Sequence, residues 1–236
     1  MYDTGVSARI AAVEERIAAA ACRVGRSFAG ITLVAVSKTR GPEAVAEAFR
    51  AGLQVFGENR TEEASPKSAA VAALVAPAKP PAWHMVGHVQ SRKAADVLSW
   101  ASIVHSVDSA RLAGRLSRFC TEAGRELEIL LEVNVSGEAS KYGFVPDELP
   151  QAVEHIAGLP ALQLRGLMTV APIVPEPELA RPVFARLCQL RDELALYYPT
   201  VDFTHLSMGM TDDFEVAVEE GATLVRIGRA IFGERA

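Results

Sequence analysis

The chain has 236 residues, is half hydrophobic and 22% charged, and carries a net charge of −5, the balance of an ordinary soluble globular protein. The acidic excess argues against nucleic acid or an anionic membrane as partner, while leaving room for a small anionic ligand held by local donors. Cys22, Cys120 and Cys188 are odd in number, widely spaced and outside any CxxC pattern, which argues against a disulfide framework and a zinc knuckle.

With Asp3, Arg9, Glu14 and Glu15 near the N-terminus no signal peptide is expected, and no apolar run is long enough to span a bilayer. A reducing cytoplasm is the expected location. Residues 4–25 read as an alanine-rich amphipathic helix, with Val6, Ile10, Val13 and Ile17 at helical spacing. Short apolar runs then alternate with helical patterns. Strands are expected at residues 31–37, 54–57, 83–87, 103–106, 128–134, 163–168, 203–207 and 224–227. Helices are expected to start near Pro42, Thr61, Ser91, Ser109, Pro146, Glu178, Thr211 and Arg229, several on a Ser, Thr or Pro start signal. The alanine-rich stretch 64–76 reads as helix, not linker.

Strands alternating with helices imply parallel pairing through right-handed crossovers. Eight such units fit a closed (β/α)8 TIM barrel, whose usual size is about 250 residues. The extra N-terminal helix is expected to cover the barrel bottom. An open doubly wound sheet usually carries a Gly-rich phosphate loop after its first strand. Here Lys38-Thr39-Arg40-Gly41-Pro42 stands in that place, with no GxGxxG, which favours the barrel. The prolines at 77, 80, 81, 172, 175 and 177 break only local loops, so residues 1–236 read as a single domain.

In such a barrel, active groups sit at the C-terminal ends of the strands. Those positions hold Lys38, Glu58 and Asn59, His84, His88, Gln90 and Ser91, Ser106 and Asp108, Asn134 and Ser136, Met168 and Thr169, Ser207 to Met210, and Arg226 to Arg229. Lys38 closes a buried strand, where partial desolvation would make its amine a nucleophile toward aldehydes; the plainer alternative is a lysine marking the strand's exit into water. Strand alternation puts Arg226 on the face of Leu224 and Gly228. A guanidinium entering the barrel needs an acceptor, either an internal partner such as Glu58 or a ligand.

Gly209 and Gly228, at the ends of the last two strands, form a phosphate cradle of the kind that recurs there in barrels, with Ser207 adding a hydroxyl. His84 and His88 lie four apart on a strand-to-loop segment with no neighbouring ligand residue, so no metal is expected. His205 reads as structural, His105 and His155 carry no signal, and Lys141 reads as a solvated lysine on a Gly-flanked loop. No nucleophile-elbow serine supports a catalytic triad.

Seven segments resemble the pyridoxal-phosphate (PLP) homeostasis protein family, single-domain barrels related to the barrel half of alanine racemase. They are Ala35-Val36-Ser37-Lys38-Thr39, Phe56-Gly57-Glu58-Asn59, Trp83 through Lys93, Val133-Asn134-Val135-Ser136, Arg165-Gly166-Leu167-Met168, Leu206 through Asp213 and Arg226 through Gly233. They run in order over nearly the whole chain. The resemblance implies a covalent aldimine between pyridoxal 5′-phosphate and Lys38, Asn59 beside the cofactor ring and Arg226 at the pyridine nitrogen. It assigns the phosphate to Ser207 and to backbone donors around Gly228 and Arg229. Two departures stand out: Arg60-Thr61-Glu62-Glu63 replaces an aromatic or aliphatic residue and a Gln-Glu pair, and Arg229 replaces a frequent Thr.

An arginine at the pyridine nitrogen favours the unprotonated ring and weakens the electron sink that amino-acid chemistry needs. A racemase also needs a base on the opposite ring face, and no second domain is expected after Ala236 to supply one. The resemblance therefore implies a PLP carrier without robust catalysis and with no catalytic residue, passing PLP to apo-enzymes and protecting amino-acid and keto-acid pools. The alternatives are a small PLP-dependent racemase or lyase, and a barrel for another phosphorylated ligand neutralised by Lys38. A monomer is expected, because no apolar surface stripe is evident beyond the helix cores.

Overall fold

The computed structural model describes residues 5–138 and 141–234; Asp3, the first position of the expected helix 4–25 and Ala236 lie outside them. Eight apolar runs pair in parallel and in chain order: β1 (Thr32–Val36), β2 (Val55–Glu58), β3 (Ala82–Met85), β4 (Ile103–Val107), β5 (Leu127–Glu132), β6 (Leu162–Met168), β7 (His205–Ser207) and β8 (Leu224–Ile227). The last strand returns to the first, with Thr32 opposite Leu224 and Val34 opposite Arg226, which closes the barrel. Closure leaves no unpaired sheet edge.

Parallel neighbours need crossovers. Helices α2 (Pro42–Arg50), α3 (Thr61–Val75), α4 (Ala94–Leu98), α5 (Ala110–Glu122), α6 (Leu149–Ala157), α7 (Arg181–Tyr197), α8 (Phe214–Glu219) and α9 (Arg229–Phe232) follow the eight strands in turn. Their start signals work as expected at Pro42, which opens α2, and at Ser109, whose hydroxyl accepts from Leu112 N–H at the head of α5. The segments starting at Ser91, Pro146 and Pro177 first make a single 3-10 turn, and α8 opens at Phe214 rather than near Thr211.

Two apolar clusters divide the interior. One lies between sheet and helices, filled by residues such as Phe56, Leu116, Leu131 and Phe184. The other is smaller and brings together Val34, Ile103, Leu130, Met168 and Leu224 from strands spread around the barrel. It fills the barrel from within, so the mouth is a floored basin and not a pore. Gly166 allows the closest backbone approach in the wall: with φ +152°, a Cβ there would lie 1.8 Å from the carbonyl oxygen of His205.

The N-terminal helix, α1 (Val6–Arg23), departs from expectation. It does not cap the bottom but packs on the outer wall beside α8, α9 and α2. The cause is the brevity of α9, a single turn of four residues that leaves the β8–β1 seam uncovered. One face of α1, made by Val6, Ile10, Val13, Ile17, Ala20 and Ala21, is buried there. Arg9 donates to the Ile231 carbonyl at 2.7 Å, and Arg26, just past the helix, donates to the carbonyls of Val218 and Ala222.

As the replacement for an eighth outer helix, α1 is part of the folded core. Ile17, fully buried, is expected to cost about 2–5 kcal/mol on truncation to Ala. Urea denaturation of Ile17→Ala measures this; a loss under about 0.5 kcal/mol would mean that α1 is an appendage.

Candidate functional site

The strand ends converge on the barrel mouth, and Arg226 reaches into the interior beneath it. Its side chain points inward from β8 and is almost fully buried. The guanidinium donates through Nη1 to Ser207 Oγ at 2.5 Å and through Nη2 to the Thr169 carbonyl at 2.8 Å. These are its internal partners; Glu58, the partner considered from sequence, points the other way. Glu58 faces α3, where it accepts from Lys67 Nζ at 2.7 Å and from Ser37 Oγ at 2.7 Å. The difference follows from strand parity: Gly57 turns toward Val34 inside the barrel, so its neighbour Glu58 turns outward.

A hydrogen-bonded chain runs on from Arg226 across the interior. Ser207 Oγ lies 2.8 Å from His105 Nδ1, and His105 Nε2 lies 3.0 Å from His84 Nδ1. Arginine only donates, so Ser207 accepts from it, while the imidazole tautomers set the direction of the two bonds beyond. A bond between two ring nitrogens needs one of them to accept, so His105 and His84 cannot both be charged, and burial favours the neutral forms. It lowers His84 to about 3, with His205 adding to the effect, and holds His105 well below the ordinary range, with His84 and Arg226 adding to it. His105 carried no signal in the sequence, yet it lies at the centre of this chain. Its parity with Ile103 on a wholly buried strand is the mark that could have found it.

Lys38 stands apart from this interior. It follows β1 in an exposed turn, not in the desolvated position that the strand pattern suggested. Thr39 leaves the strand direction at φ +67°, which turns the chain toward solvent. Lys38 nevertheless shares a small cleft with Val36, Arg40, Gly228, Arg229 and Phe232. The amides at the start of α9 have no carbonyl one turn back, so this cleft offers backbone donors beside a lysine and an arginine. Arg229 pairs with Asp212 and, at 3.7 Å, with Glu234. Gly228 lets β8 end against β1: a Cβ there would lie 3.0 Å from the Val36 carbonyl oxygen.

The remaining expected residues are dispersed around the mouth. Asn59 lines a separate groove of about 630 Å³ with Arg60, Met85, Gly87, His88 and Arg92. Its Oδ1 is buried without a partner. Ser207 is fully buried, with its oxygen engaged by Arg226 and His105, so its hydroxyl is not the free donor anticipated. Gly209, at φ +89°, has a packing reason of its own: a Cβ would come within 2.6 Å of Ala217 Cβ on α8. Its carbonyl accepts from Arg226 N–H at 3.0 Å, which ties the loop after β7 to β8.

On the far side of the mouth, His88 pairs with Asp108 at 2.9 Å and stacks on Tyr142 at 3.8 Å between ring centroids. Lys141 is more enclosed than a solvated loop lysine: it reaches Glu138 at 2.9 Å and the Val170 carbonyl at 3.2 Å. His84 and His88 therefore serve different partners. Sequence reading also passed over Glu132, at the end of β5. It lines a cavity of about 220 Å³ with Asn134, Lys141, Tyr142 and Val170. Its Oε2 is buried and unpartnered. Burial first, then the nearby Asp108, raises Glu132 to about 7, against the pull of Arg226.

That shift has a defined consequence for stability. A carboxyl with a raised folded pKa favours the fold while it is protonated, and this contribution is lost as pH climbs from about 4.3 to the folded value near 7. A neutral amide mimics the protonated acid. Glu132→Gln should therefore raise Tm at pH 8 and leave it nearly unchanged at pH 4; equal effects at both would show that Glu132 ionises normally.

Comparison with known proteins bears on this arrangement. The family model described as the alanine racemase N-terminal domain matches residues 9–236. The pyridoxal phosphate homeostasis protein of Pseudomonas aeruginosa is 45% identical over 230 residues, covering 98% of this chain and 96% of that protein. The protein of the same name from Aquifex aeolicus is 41% identical over 227 residues, covering 96% of this chain and 97% of its own. PipY of Synechococcus elongatus, solved with PLP bound, matches with a TM-score of 0.84 at 33% identity, covering 97% of this chain and all of PipY. With likeness that runs nearly end to end in both sequence and fold, the chain belongs to the pyridoxal phosphate homeostasis protein family, built on the barrel of the alanine racemase N-terminal domain.

Proposed function

We propose that this protein binds pyridoxal 5′-phosphate at the barrel mouth, holds it covalently through Lys38 and releases it to apo-enzymes. It would thereby keep the free aldehyde low in the cytoplasm and protect amino-acid and keto-acid pools. The observation that carries this reading is the meeting of Lys38, Gly228 and Arg229 in one cleft, an amine beside anion donors. The residues present fit the cofactor. Asn59 Oδ1, in the neighbouring groove, is an acceptor without a partner, and the first amides of α9 are free of helix partners. Arg226 keeps further N–H groups beyond the two bonds it makes inside the barrel.

When bound, PLP supplies an aldehyde that a neutral amine attacks with loss of water. Lys38 Nζ would take the aldehyde carbon, and the Gly228 and Arg229 amides with the Arg229 guanidinium would hold the phosphate. Ser207 acts through Arg226, whose position it fixes, and Gly209 does so through its carbonyl. Arg226, charged at neutral pH, would donate to the ring nitrogen, which would favour the unprotonated ring and a poor electron sink. The same groups that retain the cofactor thus leave it weakly reactive.

A second reading, a slow amino-acid racemase or lyase, draws on Glu132, whose carboxyl near neutral pKa has the character of a general base. The two readings differ in turnover. Borohydride reduction of the PLP-loaded protein followed by peptide mass spectrometry should locate the pyridoxyl group on Lys38, and Lys38→Ala should lose it. An adduct on another lysine, or none, would overturn the covalent reading. Sustained racemisation or cleavage of any amino acid well above the rate with free PLP would favour the enzyme.

A further inference from the structure

Behind Lys38, on the outer side of the sheet, lies a buried ammonium that the site described above does not use. Lys67, on α3, is 6% exposed. Its three hydrogens meet three acceptors: the Ser37 carbonyl at 2.9 Å, Glu58 Oε1 at 2.7 Å and Glu63 Oε1 at 2.8 Å. An ammonium has three hydrogens to donate, so these contacts saturate it.

The partners bracket Lys38. The carbonyl before it, at Ser37, is held by Lys67, and the Ser37 hydroxyl is held by Glu58. The amide after it, at Thr39, donates to Glu63 Oε1 at 2.5 Å, the same oxygen that accepts from Lys67. Both peptide groups flanking Lys38 are therefore tied to one charged cluster. Thr39 is a β-branched residue at φ +67°, a conformation that such residues avoid unless their surroundings impose it.

Stability alone does not call for this arrangement. A buried ion pair is often matched or bettered by a well-packed apolar residue of similar volume, because desolvation offsets the attraction. The cluster is also imperfect as a structural element: Glu58 Oε2 is buried with no partner. Burial raises the Glu58 pKa despite its bonds from Lys67 and Ser37. For Glu63, burial pushes the other way but is outweighed by the bonds from Lys67 and the Thr39 amide, which hold it below the ordinary carboxylate range. What the cluster does provide is a fixed direction for the backbone on either side of one exposed amine.

We propose that Lys67, with Glu58 and Glu63, is the positioning group of Lys38: it sets the turn that presents the Lys38 amine to the cofactor aldehyde without touching the cofactor itself. This rests on the covalent reading of Lys38. The step it serves forms a carbon–nitrogen double bond, with both amine hydrogens leaving with the aldehyde oxygen as water. Displacing a reacting atom by about 1 Å can slow such a step by up to about a hundred-fold, while contacts elsewhere on the ligand are unaffected.

The test compares two probes on Lys67→Met: pyridoxal 5′-phosphate, which has the aldehyde, and pyridoxine 5′-phosphate, which has an alcohol in its place. Stopped-flow absorbance reads covalent capture of the first, and calorimetry reads affinity for the second. The expected result is capture slowed about ten-fold or more, with affinity for the alcohol unchanged within about two-fold. Unchanged capture overturns the proposal, and so does a parallel loss of both, which would mark Lys67 as merely structural. Glu63→Ala, which unties the Thr39 amide from a half-exposed position, should show the same split and serves if Lys67→Met does not fold. The wild-type protein separates the two claims: failure to capture the aldehyde on Lys38 sinks the covalent reading, whereas capture that is indifferent to Lys67 and Glu63 sinks only the positioning role.

Discussion

A guanidinium buried inside the barrel governs the chemistry of its neighbours. Arg226 is lowered by burial to about 10, with Glu132 and Asp213 opposing the shift, and it stays charged at neutral pH. A charge in that position must be satisfied on all sides. Ser207 and Thr169 accept from it, Ser207 is thereby committed to His105, and His105 to His84. Burial holds both histidines neutral, and at His105 the neighbouring His84 and Arg226 add to it. Directly beneath lies the apolar cluster of Val34, Ile103, Leu130, Met168 and Leu224, which keeps water from replacing these bonds from below.

The mouth is organised around that buried layer in two halves. On the β8–β1 side, the amine of Lys38 and the donors of Gly228 and Arg229 meet near solvent. On the β3–β5 side, His88, Asp108, Tyr142, Lys141 and Glu132 form a polar rim with aromatic cover. The first half suits an aldehyde carrying a phosphate. The second offers an acid with a raised pKa but lies across the barrel from Lys38. The Lys67 cluster sits behind the first half alone, on the outer face of the sheet.

The fold was largely legible because strand and helix patterns alternate strictly along the chain. Each expected strand overlaps an observed one, with ends shifted by at most about two residues. The role of α1 was not legible. Its amphipathic face announced burial but not against what, and the answer depends on α9 stopping after one turn. At the site, strand-end position was enough to place Lys38, Asn59, Arg226, Gly228 and Arg229 around the barrel mouth. It could not tell an inward from an outward side chain at Glu58, because parity is set by the register at Gly57. It missed His105 and Glu132, since a single polar residue in an apolar strand looks the same whether it is a flaw or the centre of a network. It also missed Lys67, which reads as an ordinary helix lysine until the packing of α3 against β1 and β2 brings it behind Lys38.

On the proposed function, the cofactor is held in order to be given away. The direct measurement is transfer from the PLP-loaded protein to an apo-form of a PLP-dependent enzyme, with a trap present for free PLP. The account predicts that the recipient gains activity in step with loss of bound cofactor from this protein, and that Lys38→Ala, which cannot hold PLP covalently, gives little transfer in the presence of the trap. A loaded protein that retains its PLP in the presence of the apo-enzyme, while turning over amino acids itself, would contradict it.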